Sequence, residues 1–195
     1  PVPRRLSLYF YNEWLLGPPR ERHALHVVTE CDPETGAVFA RNPYTSDYPG
    51  RVGFSALSER PTSATGDRLE FVGRHGTPAR PAALGRRGLA ERFGAGLDPC
   101  AALHLVVDLA PGERRSITHI LGQARHRAEA RDLLRRHGGS DRAREVGREV
   151  ESRLAASVST QSPDPSSGAL QRAFPSAQQL RSRAHRDACG SVLTW

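Results

Sequence analysis

The sequence contains no lysine and no methionine, and it has few aromatic residues and few cysteines. All 28 basic residues are therefore arginine, and they outnumber the 21 acidic residues to give a formal net charge of +7. Proteins that bind nucleic acid usually concentrate lysine and arginine in one patch. Arginine is spread along this chain instead, so the composition argues against a nucleic-acid-binding protein, and we expect no nucleic-acid partner.

Other absences exclude further classes of protein. No apolar run reaches the roughly 20 residues of a membrane-spanning helix. The three cysteines (Cys31, Cys100 and Cys189) form no CxxC pair, which argues against a zinc site and a disulfide framework. His23 and His26 lie three residues apart on a predicted strand, where they would point to opposite faces. We therefore expect no metal and no cofactor.

No sequence motif for catalysis is present. A nucleophile elbow, a Walker loop, a dinucleotide fingerprint and an HExxH motif are all missing from the sequence. The acidic residues are scattered, so spacing alone assigns no pair of carboxylates for glycosidic chemistry. The first residue is Pro1, and with no methionine present we interpret the chain as a piece of a longer reading frame.

Alternating apolar residues predict a chain rich in short antiparallel strands. Asp32 to Gly36 has the turn residues of a hairpin, and Pro111-Gly112 predicts a second hairpin between the strands on either side of it. The predicted strands cover residues 4–16, 25–31, 37–41, 51–57, 67–72, 102–109 and 115–122.

The pattern changes along the chain. Residues 73–99 are rich in Gly, Pro and Arg and are predicted to form a long loop. Helical periodicity appears in 125–137 and again after Ser140. We therefore predict a mainly β fold, an antiparallel β-sandwich over 1–124, a helical linker over 125–155, and a low-complexity, disordered tail over 156–195.

The segment 66–77 carries the densest combination of charge and glycine. In a functional interpretation, Arg68 or Arg74 would contact sugar hydroxyls, phosphate or a neighbouring domain, because a guanidinium suits pairs of oxygen atoms. In a structural interpretation, Arg68 belongs to a local ion-pair cluster with Asp67 and Glu70. The sequence leaves both interpretations open.

Aromatic residues near the start of the chain offer a second candidate site. Tyr9, Tyr11 and Trp14 could form a platform on which a sugar ring stacks, or they could pack within the core. Asp98 could approach a ligand or end its loop through a side-chain hydrogen bond. These alternatives also stay open.

Several segments together resemble the β-sandwich domain of family 94 glycoside hydrolases, once called glycosyltransferase family 36, and in particular the cyclic β-1,2-glucan synthases. The resemblance covers residues 4 to about 137. It is carried by LSLYFYNEWLLG (6–17), VVTECDPETGAVFARNPY (27–44), RVGFSALSERPTSATGDRLEFVGRHGT (51–77), GAGLDPCAAL (94–103) and ITHILGQARHRAEARDLL (117–134).

The resemblance implies a supersandwich domain joined by a helical linker to an (α/α)6 barrel that holds the general acid. None of the barrel's motifs lies in these 195 residues. We therefore expect a non-catalytic segment that scaffolds the barrel in β-glucan chain processing, with Arg68, Glu70 and Arg74 on a loop near the substrate. The alternative is a stand-alone carbohydrate-binding module.

The resemblance also implies partners and a location. The expected partners are a glucan oligosaccharide and phosphate, through the parent enzyme, together with the missing half of the sandwich and the (α/α)6 barrel of the same polypeptide. A homodimer is a further arrangement that the family suggests. The expected location is the cytoplasmic face, within a larger, inner-membrane-anchored bacterial protein. Beyond residue 155 the chain departs from the family, which suggests a truncated or frameshifted gene end.

Overall fold

A computed structural model describes residues 2–46 and 48–159, without the side chains of residues 140, 143 and 154–159. The described residues form strands β1 to β7, which span Arg4–Glu13, Val28–Cys31, Val38–Arg41, Val52–Leu57, Ser63–Asp67, Pro99–Leu109 and His119–Ala124. Helices α1 to α4 span Arg20–His23, Arg68–Val72, Arg127–His137 and Ser140–Ser159. Two short 3-10 turns span Ala24–His26 and Ala82–Gly85. Helix α4 runs to Ser159, so it continues four residues past the end of the helical linker predicted at residue 155. The rest of the predicted disordered tail, from residue 160 onward, lies outside the described residues.

The strands form two antiparallel sheets. The first sheet has the order β1-β6-β5, and β6 pairs with β1 over ten residues, from Arg4 opposite Leu109 to Glu13 opposite Cys100. The second sheet has the order β2-β3-β4-β7. The expected antiparallel β-sandwich is confirmed.

Apolar side chains fill three layers. The layer between the two sheets is centred on Leu103, which is fully buried, and it includes Trp14 and Val38. A second layer lies on the outer face of the second sheet, where α3 covers Phe39. A third lies on the outer face of the first sheet, where α2 and the 3-10 turn Ala82–Gly85 cover it. Each sheet is therefore packed on both faces, which is why the inner strands β4 and β6 are buried along most of their length.

The predicted hairpin at Asp32 is confirmed, and it also anchors α3. The Asp32 carboxylate accepts hydrogen bonds from the backbone N–H of Thr35 at 3.0 Å and from its hydroxyl at 2.7 Å. The same carboxylate accepts from Nε of Arg131, on α3, at 3.0 Å. One buried acidic side chain thus shapes the β2–β3 turn and ties the turn to the helix.

The predicted hairpin around Pro111-Gly112 is wrong. β6 pairs with β1 and β5, whereas β7 pairs with β4 in the other sheet. The chain between them crosses from one sheet to the other, and the Thr118 N–H donates to the Ser58 hydroxyl at 3.0 Å on arrival. Alternation of apolar and polar residues shows that β6 and β7 are strands, but it does not show which strands they pair with. Two strands in different sheets can alternate in the same way as the two strands of a hairpin.

Two shorter predictions are also wrong. Residues 68–72 are helical, and the strand that precedes them, β5, ends at Asp67. The strand predicted over 25–31 begins only at Val28, so His23 and His26 lie in α1 and in a 3-10 turn. Both rings pack against Tyr44, with ring centroids 5.5 and 4.2 Å away. Local β-propensity was outweighed here by helix capping and by side-chain packing.

Helix α4 confirms the second predicted helix. Two of its apolar residues, Val146 and Val150, are exposed. No helix within residues 2–46 and 48–159 is both long enough and apolar enough to cross a membrane.

Candidate functional site around helix α2

The candidate site is built on the junction of β5 and α2. The Asp67 side chain caps the helix by accepting from the Leu69 N–H at 3.0 Å, as expected of an aspartate at this position. Gly73 ends the helix with a φ of +85°, a conformation that disfavours side-chain-bearing residues. Within this turn and a half, Phe71 and Val72 are buried. The helix therefore holds Arg68 and Glu70 at fixed positions on the outside of the first sheet, and Arg74 follows the glycine that ends it.

Arg68 belongs to a ring of four charged side chains. Its Nε donates to Glu13 at 2.9 Å, and its Nη1 lies 3.4 Å from Asp98. Arg20 completes the ring, since it lies 2.8 Å from the other oxygen of Glu13 and 3.1 Å from Asp98. Each side chain is between a third and two-fifths exposed. The ring joins the end of β1, the start of α1, α2 and the segment before β6.

The electrostatics of Glu13 fit a structural ion pair. Burial raises its pKa, but hydrogen bonds from Tyr11 and Arg68 and the charge of Arg20 outweigh that effect, so the pKa lies below the usual value for glutamate. The hydrogen bond to Glu13 in turn raises the pKa of Arg68. A general acid for glycosidic cleavage needs a carboxyl pKa that is raised. Glu13 therefore stays ionised and is unsuited to that role.

Glu70 makes a separate, more buried ion pair. Its side chain is 6% exposed, and Oε1 lies 2.6 Å from Nη1 of Arg86 and accepts from the Ala90 N–H at 3.3 Å. Arg86 also donates to the Glu70 carbonyl oxygen. Oε2 is buried and has no hydrogen-bond partner among the described residues. Glu70 thus fastens the loop at 86–90 to α2, and its charge is used within the fold.

Arg74 differs from both of these residues because it is exposed and lines an open cup. The cup also contains His75, Arg80 and Leu84. Arg74 is therefore the residue of the predicted trio that is placed to meet a ligand or another protein surface.

Tyr9 and Tyr11 lie on the face of β1 that α2 covers. The Tyr9 ring stacks on His104 at a centroid distance of 4.5 Å, and the Tyr11 ring stacks on Phe71 at 4.9 Å. The Tyr11 hydroxyl donates to Glu13 at 2.8 Å. Burial and this hydrogen bond raise the pKa of the Tyr11 phenol. Each ring is half-buried and already has an aromatic partner within the domain.

Trp14 lies in the layer between the two sheets and is only 6% exposed. Its ring packs so closely on Gly53 that a β-carbon there would lie 3.0 Å from Cζ3. Of the two interpretations of this residue, its burial fits core packing and leaves almost no ring surface for a sugar.

The sequence did not indicate two members of the charged ring as partners. Arg20 follows Gly-Pro-Pro and carries no recognisable motif, and Asp98 lies 30 residues beyond Arg68. Asp98 was expected to approach a ligand or to end its loop. It instead receives both arginines, and its backbone carbonyl accepts from the Arg68 N–H at 2.8 Å. No signal in the sequence paired them, because Arg20 and Asp98 both lie outside the predicted strands.

Comparison with known proteins places the chain in a family. Residues 1–140 match the glycosyl hydrolase 94 supersandwich domain. The chain belongs to this family. Over 132 residues it is also 36% identical to the cyclic β-(1,2)-glucan synthase NdvB of Rhizobium meliloti (strain 1021), a match that covers 67% of the chain and 5% of that relative. The chain thus spans a small part of the relative's length, and the findings support a carbohydrate-active protein.

The thiols of the supersandwich domain are poorly suited to nucleophilic chemistry. Cys100 is buried and burial raises its pKa, and burial likewise raises the pKa of Cys31. In the part of the chain that the structure describes, no group of three or more His, Cys, Asp or Glu side chains is placed to hold a metal ion.

A double-mutant cycle tests the charged ring. We expect Glu13→Gln, Arg68→Met and their combination to give a coupling free energy of about 1 kcal/mol or less, because both groups are a third exposed to water. The measurement is urea unfolding at low and high salt, and the coupling should fall as salt rises.

The Arg5–Asp108 pair is the matched control. Its charged atoms are 3.8 Å apart and its side chains are 74% and 72% exposed, so its coupling should be close to zero. Equal coupling in the two pairs would show that the ring contributes no more than any surface pair.

Proposed function

We propose that this supersandwich domain is a non-catalytic scaffold for a catalytic (α/α)6 barrel in a protein that processes β-glucan chains. The observation that carries the proposal is the state of the acidic residues at the candidate site. Glu13 and Asp98 are each held by two arginines, and Glu70 is held by Arg86. These carboxylates serve the fold, so we assign the glycosidic chemistry to another part of the longer protein.

The unpaired edges of the two sheets are the second observation in favour of the proposal, because they leave room for a partner segment. β1 and β7 are edge strands, and they lie on the same side of the sandwich because the Phe10 and His119 rings are 5.5 Å apart. Leu6 on β1 is 39% exposed and Leu121 on β7 is 57% exposed. Unpaired edges with exposed leucines favour pairing with further strands. We propose that the other half of the sandwich, or a second copy in a homodimer, covers this side.

The remaining parts of the proposal follow from the relative. A cyclic β-(1,2)-glucan synthase is the matched protein, and we propose that this chain serves the same class of substrate, a glucan oligosaccharide with phosphate, through its parent enzyme. We propose the cytoplasmic face of a larger, membrane-anchored bacterial protein as its location.

A phosphorolysis assay tests the scaffold proposal. The purified chain is incubated with β-1,2-glucooligosaccharides and inorganic phosphate, and release of glucose 1-phosphate is followed. We expect no release above the protein-free control, because no carboxyl at the candidate site is arranged as a general acid. Release by the chain that is lost in Glu13→Gln would contradict the proposal, and Asp108→Asn is the matched control variant.

A stand-alone carbohydrate-binding module is the second candidate. The observation that favours it is a pocket of about 210 Å³ lined by Leu15, Tyr48 and Gln123, in which Tyr48 is 60% exposed. Arg51 lies over the Tyr48 ring at 5.6 Å, so one face of the ring is already occupied. Saturable binding of β-1,2-glucan that is lost in Tyr48→Ala, without turnover, would favour this candidate over the scaffold.

A further inference from the structure

The loop that follows Phe71 is strongly one-sided in charge. Residues 71–90 contain four arginines and one histidine, and they contain neither aspartate nor glutamate. The whole chain has 21 acidic residues to 28 basic ones, so 20 consecutive residues without a carboxylate stand apart from its composition. A local cationic surface is therefore encoded in the sequence itself.

The fold gathers part of this charge into one cup. Arg74, His75 and Arg80 line it, together with Leu84 and three glycines. The cup has a volume of about 730 Å³. This lies in the range of roughly 300–1,000 Å³ that small-molecule sites occupy.

The backbone of the cup is closely packed. A β-carbon at Gly76 would lie 1.8 Å from the Val72 carbonyl oxygen, and one at Gly73 would lie 2.8 Å from the Ala82 β-carbon. Thr77 and Arg80 face each other in a β-bridge, and the Arg80 N–H donates to the Thr77 carbonyl at 2.9 Å. Arg74 and Arg80 therefore project from a tight backbone.

The charges of the cup are not used within the fold. Across the described ranges, the side chains of Arg74, His75 and Arg80 form no ion pair or side-chain hydrogen bond. Arg86, the residue directly after the last one that lines the cup, shows the contrast, since it is held by Glu70. Because Glu70 is 6% exposed and bound to Arg86, it cannot neutralise the cup.

We propose that this cup binds a tetrahedral oxyanion, either free phosphate or the phosphate group of a monoester. Two guanidinium groups can each donate two parallel hydrogen bonds to such an anion, and no carboxylate lines the cup to repel it. The site is independent of the scaffold proposal, because it needs neither the barrel nor turnover.

Calorimetric titration of the 195-residue chain tests the site, with ionic strength held constant by sodium chloride. One arm uses inorganic phosphate and the other glucose 1-phosphate, which distinguishes a free anion from a monoester. We expect saturable binding in at least one arm. Arg74→Gln combined with Arg80→Gln should weaken it by at least about tenfold, since the loss of one charge-assisted hydrogen bond already corresponds to roughly that factor.

Arg87→Gln is the matched control. Arg87 is an exposed arginine of the same charged segment but does not line the cup, so its variant should change the affinity by less than about twofold. Far-ultraviolet circular dichroism checks that every variant is folded. Unsaturable heats in both arms, or equal losses in the Arg87 and the double variant, would overturn the proposal in favour of unspecific attraction to a basic loop.

Discussion

Replacing Leu103 by alanine is expected to lower the free energy of unfolding by about 3 kcal/mol, within the range for large-to-small changes in protein cores. Leu103 is fully buried at the centre of the layer between the two sheets. It lies on β6, opposite Phe10 on one neighbouring strand and Ala64 on the other. The loss is large because the sheets on both sides hold the cavity open. Equilibrium urea unfolding followed by circular dichroism measures it.

Leu121→Ala is the matched control for this prediction. Leu121 is 57% exposed on the edge strand β7, so its truncation should change the free energy of unfolding by less than about 0.5 kcal/mol. A loss at Leu103 as small as that at Leu121 would mean that the layer between the sheets is not closely packed.

Replacing Asp32 by alanine is expected to lower the free energy of unfolding by about 2 kcal/mol, because it removes hydrogen bonds to a charged acceptor that is itself buried. The carboxylate is 2% exposed and holds both the β2–β3 turn and Arg131. Arg131 is about a third exposed and can turn to water, which limits the loss. The measurement is again urea unfolding, at pH 7.

One further variant separates the contribution of the turn from that of Arg131, and another serves as a control. Asp32→Asn keeps an oxygen that can accept from Thr35 but loses the charge that faces Arg131, so it should lie between the wild type and Asp32→Ala. Asp132→Ala is the control, because Asp132 is 44% exposed and pairs with Arg135 within the same helix. A loss for Asp132→Ala equal to that of Asp32→Ala would contradict the anchoring role of the turn.

The Asp32 effect depends on pH in a defined direction. Burial raises the pKa of Asp32, but hydrogen bonds from Arg131 and Thr35 outweigh it, so the pKa in the folded protein lies below the usual value. A lowered pKa contributes stability above the unfolded-state pKa of about 4, and this contribution is lost as pH falls through the folded-state pKa. The difference between wild type and Asp32→Ala should therefore shrink at pH 3.

The sequence predicted much of the local structure because its signals act over a few residues. The turn at Asp32 depends on a side chain that bonds to its own backbone three residues later, so it could be recognised without the fold. Alternation identified β1, β4 and β6, and helical periodicity identified α3. The family resemblance, carried by several segments in order, was confirmed over residues 1–140.

The candidate site was only partly accessible to the same reasoning. The density of charge around Arg68 could be seen in the sequence, and so could the arginines after Phe71. The partners could not, because Glu13 and Asp98 lie 55 and 30 residues from Arg68 along the chain. Nothing in the sequence distinguished the bound Glu70 from the free Arg74, since burial decides which charge is used within the fold.

The sequence by itself determined that most of the strands, the turn at Asp32 and the helix α3 exist, and to which family the domain belongs. Only the tertiary structure decided which strands pair, and it placed β6 and β7 in different sheets although a Pro-Gly turn lies between them. It also decided that Trp14 is a core residue and that Arg74 and Arg80 share one cup. The physical reason is the separation along the chain over which each interaction acts. Backbone propensity and capping act between near neighbours, whereas strand pairing, burial and charge pairing join residues that the chain keeps far apart.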